Sequence, residues 1–242
     1  MEYIIQSLRE AVSLLFSLDT EVISAIWISL KVSIAATALA CAVGIPLGLF
    51  LSRGSSTFKS VLITLSNTLH AFPTVLIGLL VYSFICRRGP LGQFDILFTP
   101  TAMIIGEAIL GLPIAISFAL TAAKTLDPAV LETALTLGAG RFDCALAIIN
   151  EARFGLTAAV VATFGRLIGE VGVAMILGGN IAGYTRNITT AIALQTSKGE
   201  FSRAIALGLI LILVALAVNI ALRFVQSRYE VERSAHFIPR GE

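Results

Sequence analysis

Arg166 and Glu170 stand four residues apart inside the apolar run from Phe154 to Gly178. Opposite charges at that spacing share one face of a helix. An Arg at the centre of a bilayer costs roughly 2.5–3.5 kcal/mol on insertion scales, so both side chains are expected to face a bundle interior or a wet cavity. Two roles suit the pair equally: pinning helices together as a neutral ion pair, or lining a conduction path. The chain then reads Gly178-Gly179-Asn180-Ile181-Ala182-Gly183-Tyr184-Thr185-Arg186-Asn187-Ile188-Thr189-Thr190. Glycines permit an irregular backbone there, and the Asn/Thr cluster can cap a short helix whose free N–H groups, with Arg186, would favour an anion. A polar outer loop with turn glycines fits the same residues equally well. A third pattern precedes these two: Glu132-Thr133-Ala134, three residues, Gly138, nine residues, Ile148. Asp127 suits an N-cap, Pro128 the first helical position and Gly138 a C-terminal stop, which predicts a short helix from Ala129 to Leu137. Its Leu131, Ala134, Leu135 and Leu137 exceed what a solvated helix needs, so another surface should cover part of it.

The elements that must hold these residues follow from composition. Of 242 residues, 57% are apolar and 13% charged, with a mean hydropathy of +0.92. An ordinary soluble domain carries roughly a quarter charged residues, so this is an all-α protein of the membrane. Crossing the hydrocarbon core takes about 20 mostly apolar residues. Runs of that length occur at about 22–51, 60–86, 101–123, 154–178 and 204–222, in one membrane domain occupying 1–242. Residues 1–20 are expected to form an amphipathic helix lying on the lipid bilayer, without the pattern of a cleaved signal. Residues 124–153 form the longest polar interval between spans.

Five spans put the termini on opposite sides. Arg53, Lys59, Lys124, Arg141, Arg153, Arg223, Arg228, Arg233 and Arg240 fall on one side; Arg9, Arg87, Arg88, Arg186, Lys198 and Arg203 fall on the other. The more basic side is expected to be cytoplasmic, which places the C-terminus and the 124–153 loop inside and the N-terminus outside. Pro46, Pro73 and Pro113 lie within spans and are expected to kink them. Gly44 with Gly48, and Gly165 with Gly169, offer small faces for close helix approach. Lys31 and Glu107 are nearer span ends and are read as snorkelling.

Other chemistries lack their residues. The net charge of +2 comes with no Lys/Arg-rich block, which excludes a nucleic-acid partner. Cys41, Cys86 and Cys144 form neither a disulfide framework nor a metal pattern, and no cofactor is implied. No nucleotide loop, His-Glu-x-x-His or Gly-x-Ser-x-Gly occurs, so the chain is not expected to be an enzyme. His70 and His236 have no partners in sequence and are read as structural.

The Glu132-to-Gly138-to-Ile148 spacing resembles the inner loop of the membrane subunits of ATP-binding-cassette importers, in which Glu-Ala-Ala, Gly and Ile-x-Leu-Pro recur at those intervals. This chain departs from it at Thr133 and at Asn150-Glu151. The stretch Gly165-Arg166, Gly169-Glu170-Val171-Gly172, Gly179-Asn180-Ile181 and Thr185-Arg186 is similar to the molybdate and tungstate branch, and closer to its tungstate members. The resemblance implies a type I importer permease fold in a prokaryotic cytoplasmic membrane, working as a homodimer with separate ATPase subunits and an extracytoplasmic oxyanion-binding protein. In that frame Glu132, Ala134, Gly138 and Ile148 belong to the coupling helix that docks on the ATPase. Arg166, Glu170, Asn180, Thr185 and Arg186 are candidates for the translocation path or gate. Molybdate or sulfate transport, and an ion-coupled secondary carrier, are the alternatives.

Overall fold

The computed structural model describes residues 19–52 and 56–236, with Ser13. The helix expected over residues 1–20 falls almost wholly outside them, as do Arg9, Arg53 and Arg240. Among the described residues the regular elements are α1 (Thr20–Ser52), α2 (Thr57–Leu69), α3 (Thr74–Ile85), a 3-10 turn (Gly92–Phe94), α4 (Pro100–Lys124), α5 (Pro128–Thr136), α6 (Arg141–Leu167), α7 (Gly172–Gly178), α8 (Ile188–Ser197) and α9 (Phe201–His236). Helices α1, α4, α6 from Phe142 onward and α9 as far as Leu222 are each long and apolar enough to cross a membrane.

The centre of the fold is α1 packed along α4. A Cβ on Gly44 would sit 2.6 Å from the Ala115 Cβ, and one on Gly48 would sit 2.6 Å from the Ile116 carbonyl oxygen. Only glycine allows this approach, as the small-residue pattern at that pair predicts. Ala36, Ile77, Val81, Ala102, Leu110, Leu167, Val173 and Leu177 join α1, α3, α4, α6 and α7 in one apolar cluster.

Two expected spans are not single helices. The 60–86 run is α2 and α3, bent by 106°. Pro73 has no N–H to donate and disfavours helix at Phe72, so α2 closes at Leu69 and a new helix starts at Thr74. Pro46 and Pro113, by contrast, lie inside continuous helices. The 154–178 run is likewise divided: α6 begins earlier, at Arg141, and stops at Leu167, and α7 resumes at Gly172. Gly165 and Gly169 are exposed, and a Cβ at either would meet nothing within 4 Å. They are therefore not a helix-packing face within this chain.

Candidate functional site

Arg166 closes the last turn of α6, and Glu170 lies just beyond it. Arg166 Nη1 donates to Glu170 Oε2 at 2.9 Å, with the Glu170 side chain 3% exposed and that of Arg166 43%. The ion pair thus spans the helix break instead of sharing a helical face. Glu170 Oε1 accepts from Val173 N (3.2 Å), supplying an acceptor for the first turn of α7. Thr189 Oγ1 donates to the Glu170 carbonyl oxygen (2.6 Å), which ties the break to the start of α8.

At that start the N–H groups of Ile188 and Thr190 are taken by acceptors within the chain, so of the N–H groups that the Asn/Thr cluster was expected to leave for an anion these two are not free. Asn187 Oδ1 accepts from Thr190 N (2.8 Å), Asn187 N donates to Thr190 Oγ1 (3.1 Å), and Ile188 N donates to Ser29 Oγ on α1 (2.9 Å). Asn187, Ile188, Thr189 and Thr190 are all buried. The cap is reciprocal and closed within the protein.

Glu107 does not snorkel. It sits eight residues into α4, is fully buried, and neither carboxyl oxygen has a hydrogen-bond partner of good geometry. Ser33 of α1 faces it, and the Glu170 carboxylate is close enough to interact. A polar knot of Ser29, Ser33, Glu107, Glu170, Thr189 and Asn187 therefore joins α1, α4, the α6–α7 break and α8. Lys31 is exposed.

Asn180, Thr185 and Arg186 form a different cluster from Arg166 and Glu170. Thr185 is fully buried; its hydroxyl donates to the Gly178 carbonyl oxygen and accepts from Ile181 N (3.0 Å). Arg186 Nε donates to Asn180 Oδ1 at 3.2 Å. Gly179 (φ 69°) and Asn180 (φ 52°) take left-handed conformations that turn the chain out of α7. These side chains clasp the 178–186 loop onto itself.

The loop between α4 and α6 matches its local signals. Asp127 Oδ1 accepts from Ala129 N (2.9 Å) and Pro128 opens α5. At the other end Gly138 N donates to the Leu135 carbonyl oxygen (3.0 Å) and Ala139 N to that of Ala134 (3.0 Å), with Gly138 at φ 79°. This is a Schellman stop that requires the left-handed glycine. Glu132 is exposed, Ala134 half-buried, and Leu135, Leu137 and Phe142 are 57%, 82% and 79% exposed. Ile148, two turns into α6, is buried and does not belong to the exposed surface of the loop.

The partners of His70, which the sequence left without any, lie on another helix. His70 follows α2, and its Nε2 lies 3.1 Å from both the Pro113 carbonyl oxygen and Ser117 Oγ on α4. Ser117 Oγ donates to Asn67 Oδ1 (3.1 Å), and Ser66 Oγ donates to the same Pro113 carbonyl oxygen (3.3 Å). The available signal was the polar recurrence of Ser60, Thr64, Asn67 and Thr68 at helical spacing within an apolar run.

Residues 44–231 match the family described as binding-protein-dependent transport system inner membrane component. The tungstate uptake system permease protein TupB of Peptoclostridium acidaminophilum is 43% identical over 90% of this chain and 96% of its own length. A probable anion ABC transporter permease protein of Haloferax volcanii is 40% identical over 83% of this chain and 88% of its own. Among solved structures, a bacterial alginate ABC transporter superposes with a TM-score of 0.69 at 20% identity, covering 86% of this chain and 78% of that one. The methionine ABC transporter MetNI gives a TM-score of 0.67 at 17% identity, covering 88% and 96%. At those identities the structures speak for the fold, and the family match and the sequence relatives for descent. The chain is a multi-pass membrane protein with the type I ABC importer permease fold, and it belongs to the family of inner membrane components of binding-protein-dependent transport systems.

Proposed function

We propose that this chain is the permease subunit of an ATP-binding-cassette importer for a tetrahedral oxyanion, with tungstate as the substrate. The observation that carries this reading is graded similarity: 43% and 42% identity to two tungstate permeases, 27–29% to molybdenum permeases and 24–25% to sulfate permeases, each over most of the chain. Two copies would enclose the pathway, with the C-terminus and α5 in the cytoplasm and the N-terminus outside. An extracytoplasmic binding protein would deliver the anion.

Coupling follows from the arrangement of α5 and α6. The exposed Leu135, Leu137 and Phe142 form the apolar surface that an ATPase subunit would cover, with Glu132 available to a basic residue on it. Helix α6 runs without a break from Arg141, beside α5, to Arg166 and Leu167, and its 27 residues extend roughly 40 Å. A displacement of α5 by the ATPase is therefore delivered to the Arg166–Glu170 break, where the bond to Thr189 hands it to α8. ATP hydrolysis stays with the partner chain.

Proteoliposomes holding this chain, its ATPase and its binding protein test the reading. They should take up tungstate only with internal ATP, and tungstate-loaded binding protein should raise ATP hydrolysis. Uptake without the ATPase subunit, or a preference for sulfate over tungstate, would contradict it.

A further inference from the structure

The face made by α2 and the second half of α4 is polar and exposed, although both helices belong to apolar runs long enough to cross a membrane. Ser60, Thr64, Asn67 and Thr68 recur at i, i+4, i+7 and i+8, one side of α2, and all four are exposed. Thr121 and Lys124 continue the face on α4, below the half-buried Ser117. Ser66 and His70 both bond the Pro113 carbonyl oxygen, which fixes the end of α2 against the middle of α4, roughly 16 Å along the helix axis from Lys124.

The hydroxyls alone would not exclude lipid, because Thr64, Thr68 and Thr121 donate to carbonyl oxygens one turn back in their own helices. Asn67 would. The Pro113 carbonyl oxygen only accepts, so His70 Nε2 carries the proton; Ser117 Oγ accepts from it and passes its own proton to Asn67 Oδ1. Asn67 Oδ1 is thus held by Ser117, which turns the amide so that its two N–H groups, unpaired among the described residues, are left for another acceptor. Such donors facing hydrocarbon would cost several kcal/mol. No Asp or Glu occurs in α2, in α3, or in α4 after Glu107, so these helices bring donors and the Lys124 cation to the face and no carboxylate of their own.

We propose that this face lines the aqueous route from the membrane centre to the cytoplasm, and that the Asn67 amide donates hydrogen bonds to the oxyanion as it passes. This deepens the oxyanion-permease reading and rests on it. Ser117 and His70 are positioning residues, holding the Asn67 amide with its donors outward.

The test uses the full transporter in inside-out vesicles, with Cys41, Cys86 and Cys144 replaced. Single cysteines at Thr64 and Thr121 should react with a charged, impermeant methanethiosulfonate, and tungstate-loaded binding protein with ATP should change their rates. Cysteines at Leu65 and Phe118, also exposed but apolar, should not react. Asn67→Asp, nearly isosteric but acceptor-only and negative, should reduce tungstate uptake more than Asn67→Ser. His70→Gln should retain more uptake than His70→Leu. Equal labelling of Thr64→Cys and Leu65→Cys, a Thr64→Cys disulfide between two copies without labelling, or full uptake by Asn67→Asp would overturn the proposal. Wild-type vesicles that take up no tungstate yet keep the labelling pattern would overturn the oxyanion reading and the role of Asn67, while supporting the route.

Discussion

The loop around α5 and the knot around Glu170 are each built from residues that suit the other's surroundings. Outside the apolar spans, α5 and the start of α6 expose Leu135, Leu137 and Phe142. Within the spans, Ser29, Ser33, Glu107, Glu170, Asn187 and Thr189 are buried together. The teaching lies in how each is satisfied. The knot is buried inside the chain, its hydrogen bonds tying α1 and the α6–α7 break to α8 with Glu107 of α4 beside Ser33 and Glu170, so changes there should unfold or loosen the protein. The loop is closed only along its backbone, through the Asp127 cap and the Gly138 stop, while its side chains await a cover. Changes on its surface should therefore spare the fold and disconnect the ATPase.

The comparison breaks first at Glu170. Glu170→Ala strips Arg166 of its counter-charge and Val173 N of its acceptor. Breaking a fully buried pair costs about 3–5 kcal/mol; with the Arg166 side chain 43% exposed, a loss of about 2–3 kcal/mol is expected, read as a lower melting temperature in detergent. Gly138→Val forces a β-branched residue to φ 79° and should cost about 1–3 kcal/mol locally, whereas Gly138→Asn, which tolerates that region, should stay close to wild type. Both variants should insert, and only the valine should lose stimulation of the ATPase. Ser29→Ala leaves Ile188 N buried without an acceptor and should destabilise by about 1–3 kcal/mol, with thermal unfolding as the readout. Asp127→Ala should remove about 1 kcal/mol of helix capping, seen as faster amide exchange in α5. Smallest in stability is Leu137→Ser: at 82% exposure its melting temperature should be unchanged, while uptake falls.

What was legible in the sequence tracks how local its cause is. The α5 caps depend on residues within a turn of each helix end, and Asp127, Pro128 and Gly138 announced them. The Gly44–Gly48 face was equally plain, because small residues at that spacing mean close approach whatever the partner. The break after Leu167 was hidden: the run is apolar on both sides of it, and what restarts the helix is a Glu170 oxygen accepting from Val173 N. Glu107 looked like a residue near a span end, since the groups it meets, Ser33 and Glu170, lie on other elements. His70 had no partner within its own segment because Pro113 and Ser117 lie more than forty residues away. That the candidate gate residues divide into a knot at Arg166–Glu170 and a clasp at Asn180–Thr185–Arg186 depends on how the 178–186 loop folds back.

The central claim is that α5 is a cytoplasmic lever covered by an ATPase subunit. A photo-crosslinking amino acid at position 137, in cells that also produce the ATPase subunit, tests it most directly. A covalent adduct with the ATPase is expected, matched by one from position 142 and absent from the buried position 148. Adducts with lipid or with an extracytoplasmic protein instead, or labelling of position 137 by an impermeant reagent from the outer medium, would contradict it.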